Sequence, residues 1–217
     1  LRNSHFLIMK WKRMKKAEMT NRIYNHLDYV KPIYIFKICL VGGPGVGKTC
    51  IARRVSFNTF DINTKLTFGI EFYTYDLPII VDREETYIRG SIWEFGGQEH
   101  FKKLFPYYIN GASGIFLIFD LANIETLTKL DWWYDKLIEY HMVDHPKILI
   151  GTKLDLVDEE SMQFRNDELT IKEFAYNHDE IEFIKTSAKE NINIKDIFKE
   201  MVKKVLDYHN LEYERIT

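Results

Sequence analysis

Gly42-Gly43-Pro44-Gly45-Val46-Gly47-Lys48-Thr49 follows the apolar run Ile38-Cys39-Leu40-Val41 and precedes a helix-compatible segment, Cys50 to Phe57. It fits G-x-x-x-x-G-K-[ST], a loop built to hold phosphate. Phosphate is a multiply charged anion that water solvates well, so a protein must offer many preset donors to compete. A glycine-rich turn does so with inward backbone N–H groups, and the following helix adds the positive end of its dipole. In this motif Lys48 reaches the β- and γ-phosphates and the Thr49 hydroxyl reaches Mg²⁺. Backbone groups from Gly42, Gly45, Val46 and Gly47 through Thr49 and Cys50 belong to the same cradle. A chance glycine-rich turn is the competing reading, and the strand before and helix after argue against it.

Working outward, apolar runs at Ile33–Val41, Gly114–Leu121, Lys147–Thr152 and Ile181–Ala188 read as strands buried on both faces. Helical repeats lie between and after them. Leu127, Leu130, Tyr134, Leu137 and Ile138 form one stripe, and Ile194, Ile197, Phe198, Met201 and Val205 another. Strand–helix alternation implies a mostly parallel sheet with helices on both faces. The runs on either side of Asp82-Arg83-Glu84-Glu85 read instead as an antiparallel hairpin. Ligands in such sheets sit beyond the carboxyl ends of strands. Gly42, Glu94, Thr152 and Thr186 all follow strands and can converge on one crevice.

Composition sets limits. The chain has 217 residues, 46% of them hydrophobic and 15% aromatic, which suits one domain with a sizeable core and an appendage. Its net charge of −2 hides an asymmetry: residues 1–31 carry +6 and the remainder −8. A basic arm of residues 1–34 is expected, then a domain over 35–209 and a short tail over 210–217. The arm has a poor apolar face, so a solvated or packed basic segment is the leading expectation, peripheral membrane contact the functional alternative, and nucleic acid the weakest. Cys39 and Cys50 read as packing residues rather than a disulfide or metal pair. No run of about 18 apolar residues suggests a membrane span, and a cytoplasmic protein, membrane-associated at most, is expected. The last residues hold no cysteine for a prenyl anchor.

Four further motifs follow the phosphate loop in order: Thr67 with Phe68-Gly69-Ile70-Glu71-Phe72; Trp93-Glu94-Phe95-Gly96-Gly97-Gln98-Glu99; Thr152-Lys153-Leu154-Asp155; and Thr186-Ser187-Ala188-Lys189. Their order and spacing resemble the small GTPases of the Ras superfamily, over about residues 35–209. The FGIEF stretch is nearest the Rab branch, the GGQ element is also seen in Arf-like and Roc-type proteins, and TKLD occurs in the Rho branch. The resemblance implies an α/β Ras-like P-loop GTPase domain with a mostly parallel six-stranded sheet, one strand antiparallel and helices on both faces.

The resemblance also implies roles. Thr67, nineteen residues after Lys48, would complete the Mg²⁺ shell and sense the γ-phosphate, with Thr64 and Thr59 as weaker competitors. Gly97 would donate its N–H to the γ-phosphate, and Gln98 would orient the attacking water, so Gln98, Lys48 and Gly97 are the expected catalytic set. Thr49, Thr67 and Glu94 are the expected metal set. Asp155 would accept from guanine N1–H and N2–H₂, which adenine cannot match. The Lys153 stem would lie over the base, Thr152 stands where Asn is usual, and Ser187, Ala188 and Lys189 form the other base wall, with the Ala188 N–H toward guanine O6. Phe60 is either an aromatic against guanine or a core residue. Phe72, Trp93 and Tyr108 match an aromatic triad that binds effectors in Rab proteins.

Two residues depart from the family. Glu94 replaces an aspartate that holds Mg²⁺ through a water. Its extra methylene either binds the metal directly or pushes it off position. Pro44 replaces a common glycine and removes a donor. The implied function is a switch that binds GTP or GDP with Mg²⁺, hydrolyses GTP slowly and recruits effectors in the GTP state, served by an exchange factor and an activating protein. The alternative is a GTP-bound effector-binding module with negligible hydrolysis, because of Glu94 and Pro44. A P-loop phosphotransferase is disfavoured, since it needs no guanine-reading TKLD and TSAK.

Overall fold

In the computed structural model, which describes residues 31–216 of the chain, strand β1 (Tyr34–Val41) runs through the middle of one sheet. Its side chains alternate, and both faces are buried. Phe36, Ile38 and Leu40 enter one apolar layer, Cys39 and Val41 the other. A continuous apolar run is what a strand covered on both sides requires. The first layer is closed by α1 (Lys48–Phe57) and α7 (Ile194–Tyr208). The second is closed by α5 (Leu130–Glu139) and α6 (Met162–Asn177), with Phe105 from the short α3 (Phe105–Tyr108). Two further single turns, α2 (Glu99–Lys102) and α4 (Glu125–Thr128), lie in connections. The basic arm expected over 1–34 falls almost wholly outside the described residues. Of its last residues, which are described, Ile33 donates its N–H to the Tyr87 carbonyl before β1 begins.

The remaining strands are β2 (Ile70–Val81), β3 (Glu84–Phe95), β4 (Gly114–Asp120), β5 (Lys147–Thr152), β6 (Phe183–Lys185) and β7 (Arg215–Ile216). The sheet order is β6-β5-β4-β1-β3-β2-β7. Pairing is parallel from β6 to β3 and antiparallel for β3–β2 and β2–β7. The mostly parallel sheet and the hairpin match the expectation. The hairpin turns on Asp82 and Arg83 alone, both with positive φ (51° and 65°), the arrangement a two-residue turn between right-twisted strands demands.

Three expectations are corrected. Among the described residues the sheet has seven strands, not six, because Arg215–Ile216 pairs with Ile79–Ile80 on the edge of β2. Within the short tail expected over 210–217, the Glu214 N–H donates to the Ile80 carbonyl, and Glu214 Oε1 accepts from the Arg83 N–H at the hairpin tip. The run Ile181–Ala188 is a strand only over Phe183–Lys185, since Ser187 exchanges two backbone hydrogen bonds with Ile192 and leaves the sheet. Ile138 faces solvent at 51% exposure, although Leu127, Leu130, Tyr134 and Leu137 of its stripe are buried. Among the described residues no helix is long and apolar enough to cross a membrane.

Candidate functional site

Loop ends at the carboxyl edge of β1, β3 and β5 surround a cavity of about 310 Å³. Helix α1 opens onto it. Its cap is Gly47 in the left-handed region, no side chain caps it and no acidic residue occupies its first turn, so its leading N–H groups stay available for an anion. Lys48 is buried, and its Nζ donates to the carbonyls of Gly42 at 3.0 Å and Gly43 at 2.7 Å. Burial pushes this ammonium down to about 8, while the charge of Glu94 pulls it partly back.

Beside Lys48 three oxygens meet. The Thr49 hydroxyl donates to Glu94 Oε1 at 2.5 Å, the Thr67 hydroxyl to the same oxygen at 2.9 Å, and the two hydroxyls lie 3.0 Å apart. All three residues are buried, and Glu94 Oε2 has no hydrogen-bond partner among the described residues. Burial raises the Glu94 carboxyl above the usual range, against the pull of the Thr49 and Thr67 hydroxyls and Lys48. An orphaned carboxylate oxygen beside two hydroxyls suits a hard divalent cation, which prefers oxygen ligands. Of the three candidate threonines, Thr67 alone reaches this corner; Thr64 donates instead to the Asp61 carbonyl, and Thr59 is exposed.

The loop bearing Thr67 is pressed against the end of β3. The Gly96 N–H donates to the Gly69 carbonyl at 2.8 Å. A Cβ on Gly96 would sit 2.8 Å from the Thr67 carbonyl oxygen, and one on Gly97 2.3 Å from the Gly43 carbonyl carbon. Both glycines are thus required by close backbone approach. Gln98 follows, half-buried at the start of α2 and on the cavity wall, which the exposed Pro44 and Gly45 of the phosphate loop also line.

The opposite wall comes from the two later motifs. Lys153 adopts left-handed backbone (φ 60°), which turns the chain sharply after β5 and brings Asp155 back toward the cavity. Lys153 Nζ pairs with Asp120 Oδ2 at 2.7 Å. Asp155 Oδ1 accepts from the Ser187 hydroxyl at 2.5 Å, and its Oδ2 lies 3.6 Å from Lys189 Nζ. The Thr152 hydroxyl donates to the Val46 carbonyl at 2.6 Å and the Phe119 carbonyl at 3.0 Å, tying this wall to the phosphate loop. Ala188, Lys189, Cys50 and Phe60 also line the cavity. Phe60 packs against the core as well, so both readings of it have a physical basis. Gly42, Val46 and Ser187 stand behind the lining as supports rather than walls. The Cys50 thiol is held high by burial, and no disulfide joins it to Cys39.

Sequence reasoning missed some contributors. Ile62, Lys65 and Leu66 complete the wall from the loop before Thr67. Arg54 on α1 donates to the carbonyls of Ala188 at 2.7 Å and Lys189 at 3.1 Å, fixing the last motif from the far side. Arg54→Ala should cost about 1.5–3 kcal/mol in urea denaturation, the range for charged donors to backbone acceptors; a loss within error of zero would show that the loop holds itself.

Away from the cavity, Phe72 meets the Trp93 ring edge-on at 4.6 Å and Tyr108 lies 6.1 Å from it. Lys37 Nζ sits 3.9 Å over Trp93 and donates to the carbonyls of Tyr108 and Asn110. The three aromatics therefore form one surface, with Phe72 and Tyr108 exposed.

The comparisons with known proteins agree with this arrangement. The family described as Ras family matches residues 37–207. Ras-related protein Rab-8A of Bos taurus is 32% identical over 165 residues, 76% of this chain and 75% of that protein. The Gallus gallus Rab-8A is 33% identical over the same shares. GTP-binding protein Rab-3D of Rattus norvegicus is 32% identical over 181 residues, 83% of this chain and 78% of that protein. With a phosphate loop, a hydroxyl–carboxylate corner and a TKLD–TSAK wall around one cavity, and relatives at this level, the chain belongs to the Ras family and is a Rab-like small GTPase.

Proposed function

We propose that this chain is a molecular switch that binds GTP with Mg²⁺, hydrolyses it slowly to GDP and engages effectors in the GTP state. One observation carries this reading: Lys48, Thr67, Gly97, Gln98, Asp155 and Ala188 all line the same cavity although they come from five separate loops and ends. Family members bind GTP or GDP with Mg²⁺, and the residues present suit both.

In this reading the open N-terminus of α1 and Lys48 hold the phosphates, and Asp155 and Ala188 select guanine. Thr49, Thr67 and Glu94 would hold Mg²⁺, which supplies charge neutralisation on the phosphates when bound. Gly97 presents its N–H to the γ-phosphate, and Gln98 aligns the attacking water. No arginine lines the cavity among the described residues, so intrinsic turnover is slow and an activating protein adds the missing cation. An exchange factor opens the closed site for release. Because Thr67 and Gly97 contact the γ-phosphate only in the triphosphate, its loss frees both loops, and the adjoining Phe72–Trp93–Tyr108 surface changes with them. Peripheral membrane contact through the basic arm remains part of the proposal.

Single-turnover hydrolysis tests it. The wild type should convert bound GTP slowly to GDP. Gln98→Leu should bind GTP as tightly and turn over about 10²-fold more slowly, the effect of misplacing a reacting group by about 1 Å. Wild type that binds GTP without hydrolysing it would sink the hydrolytic part.

A further inference from the structure

We propose that Glu94 is a direct ligand of the divalent cation, completing with Thr49 and Thr67 a three-oxygen protein face where the aspartate of related small GTPases acts through a water; this rests on the GTP·Mg²⁺ reading above. The geometry carries it. Thr49 Oγ1, Thr67 Oγ1 and Glu94 Oε1 are separated pairwise by 2.5, 2.9 and 3.0 Å. Adjacent ligands of an octahedral Mg²⁺ with bonds of about 2.1 Å stand about 3 Å apart. Two of the three separations already match one octahedral face, and the third, Thr49 to Glu94, has only to open by about 0.5 Å. On a bound cation the two hydroxyls turn their lone pairs inward.

The backbone cannot retreat to make room for a water. Glu94 is paired with Leu40 of β1 on one side and Glu71 of β2 on the other, in the interior of the sheet. The extra methylene therefore pushes the carboxylate forward, onto the hydroxyls. An aspartate at the same Cα would withdraw by about one C–C bond, 1.5 Å. Its oxygen would then lie about 4 Å from the two hydroxyls, the span a bridging water fills. Thr67 is also held fixed, since its loop closes on Gly96 with no space for a Cβ. The second carboxylate oxygen, buried without a partner among the described residues, fits a group whose charge is met by a cation.

The test counts waters on the metal. The full chain is loaded with Mn²⁺ and the non-hydrolysable analogue guanosine 5′-(β,γ-imido)triphosphate. Electron paramagnetic resonance in ¹⁷O-enriched water then gives the number of coordinated waters from line broadening. With two phosphate oxygens on the metal, wild type should retain one water and Glu94→Asp two. Equal counts would overturn the proposal. If Glu94→Asp does not fold, the wild-type count decides alone, and two waters there would overturn it. Should Mn²⁺ and the analogue fail to form a complex at all, seen as an unchanged free Mn²⁺ signal, the GTP·metal reading falls and this inference with it. A complex with the wrong water count removes only the role of Glu94.

Discussion

Asp155→Asn is expected to weaken GTP binding by about 10³-fold or more and to erase most of the preference for GTP over ATP. A site built around a hydrogen-bonding substrate group rejects analogues lacking it by about 10⁴–10⁵, because its own polar groups are left unpaired. Asp155 is such a group. Its side chain is nearly buried, one oxygen is engaged by Ser187, and the other is only loosely neighboured by Lys189 at 3.6 Å. Asp155 lines the cavity together with Ala188 and Leu156. Asparagine keeps the Ser187 bond through its carbonyl, so the loop should stay in place. It turns an acceptor into a donor, which opposes guanine N1–H rather than receiving it. Ser187→Ala is the control, since it loosens the carboxylate without changing its acceptor character and should cost about tenfold. Titration with fluorescent GTP and ATP analogues separates the cases. Unchanged selectivity in Asp155→Asn would place base recognition elsewhere.

How much of this was legible in the sequence depends on whether the feature is local. The phosphate loop, TKLD and TSAK are short strings whose chemistry sits in adjacent residues, and all three line or support the same cavity. The two-faced apolar runs announced the parallel sheet because burial on both sides leaves no polar alternation. The short β7 had no such signal: two residues carry no period, and their pairing depends on an open edge of β2 far away in sequence. Arg54 was equally silent, because its partners are carbonyls 134 and 135 residues distant, and every residue type has a carbonyl. The first glycine of the GGQ element, Gly96, reads as loose backbone in sequence, and only the nearby Thr67 carbonyl explains it. For Glu94 the sequence left two outcomes open, direct contact or displacement, and distances to two hydroxyls were needed to favour one.

Lys48→Met should separate binding from stability. The variant keeps the apolar stem and loses the charge. GTP affinity should fall by about 10³-fold, as the phosphates lose more than one charge-assisted hydrogen bond, each worth about 1.5–3 kcal/mol. The nucleotide-free protein should melt within a few degrees of wild type or above it. The reason lies in the direction of the lysine's shift. Burial lowers this ammonium to about 8, so the fold holds the charged form less well than water does, even with Glu94 nearby. At pH 7, below that value, the ammonium is present and its burial cost is borne in full. Removing it lifts that cost and forfeits two hydrogen bonds to the Gly42 and Gly43 carbonyls, two effects of opposite sign. Glu94 keeps both hydroxyl donors and, with its carboxyl already raised, can take up a proton when its countercharge is gone. Differential scanning fluorimetry with and without GTP·Mg²⁺ reads both effects at once. Wild type should gain melting temperature on loading and Lys48→Met should not. A large drop in the nucleotide-free melting temperature would mean that Lys48 is a structural strut of its loop, and that the buried charge is not held at a cost for the sake of the ligand.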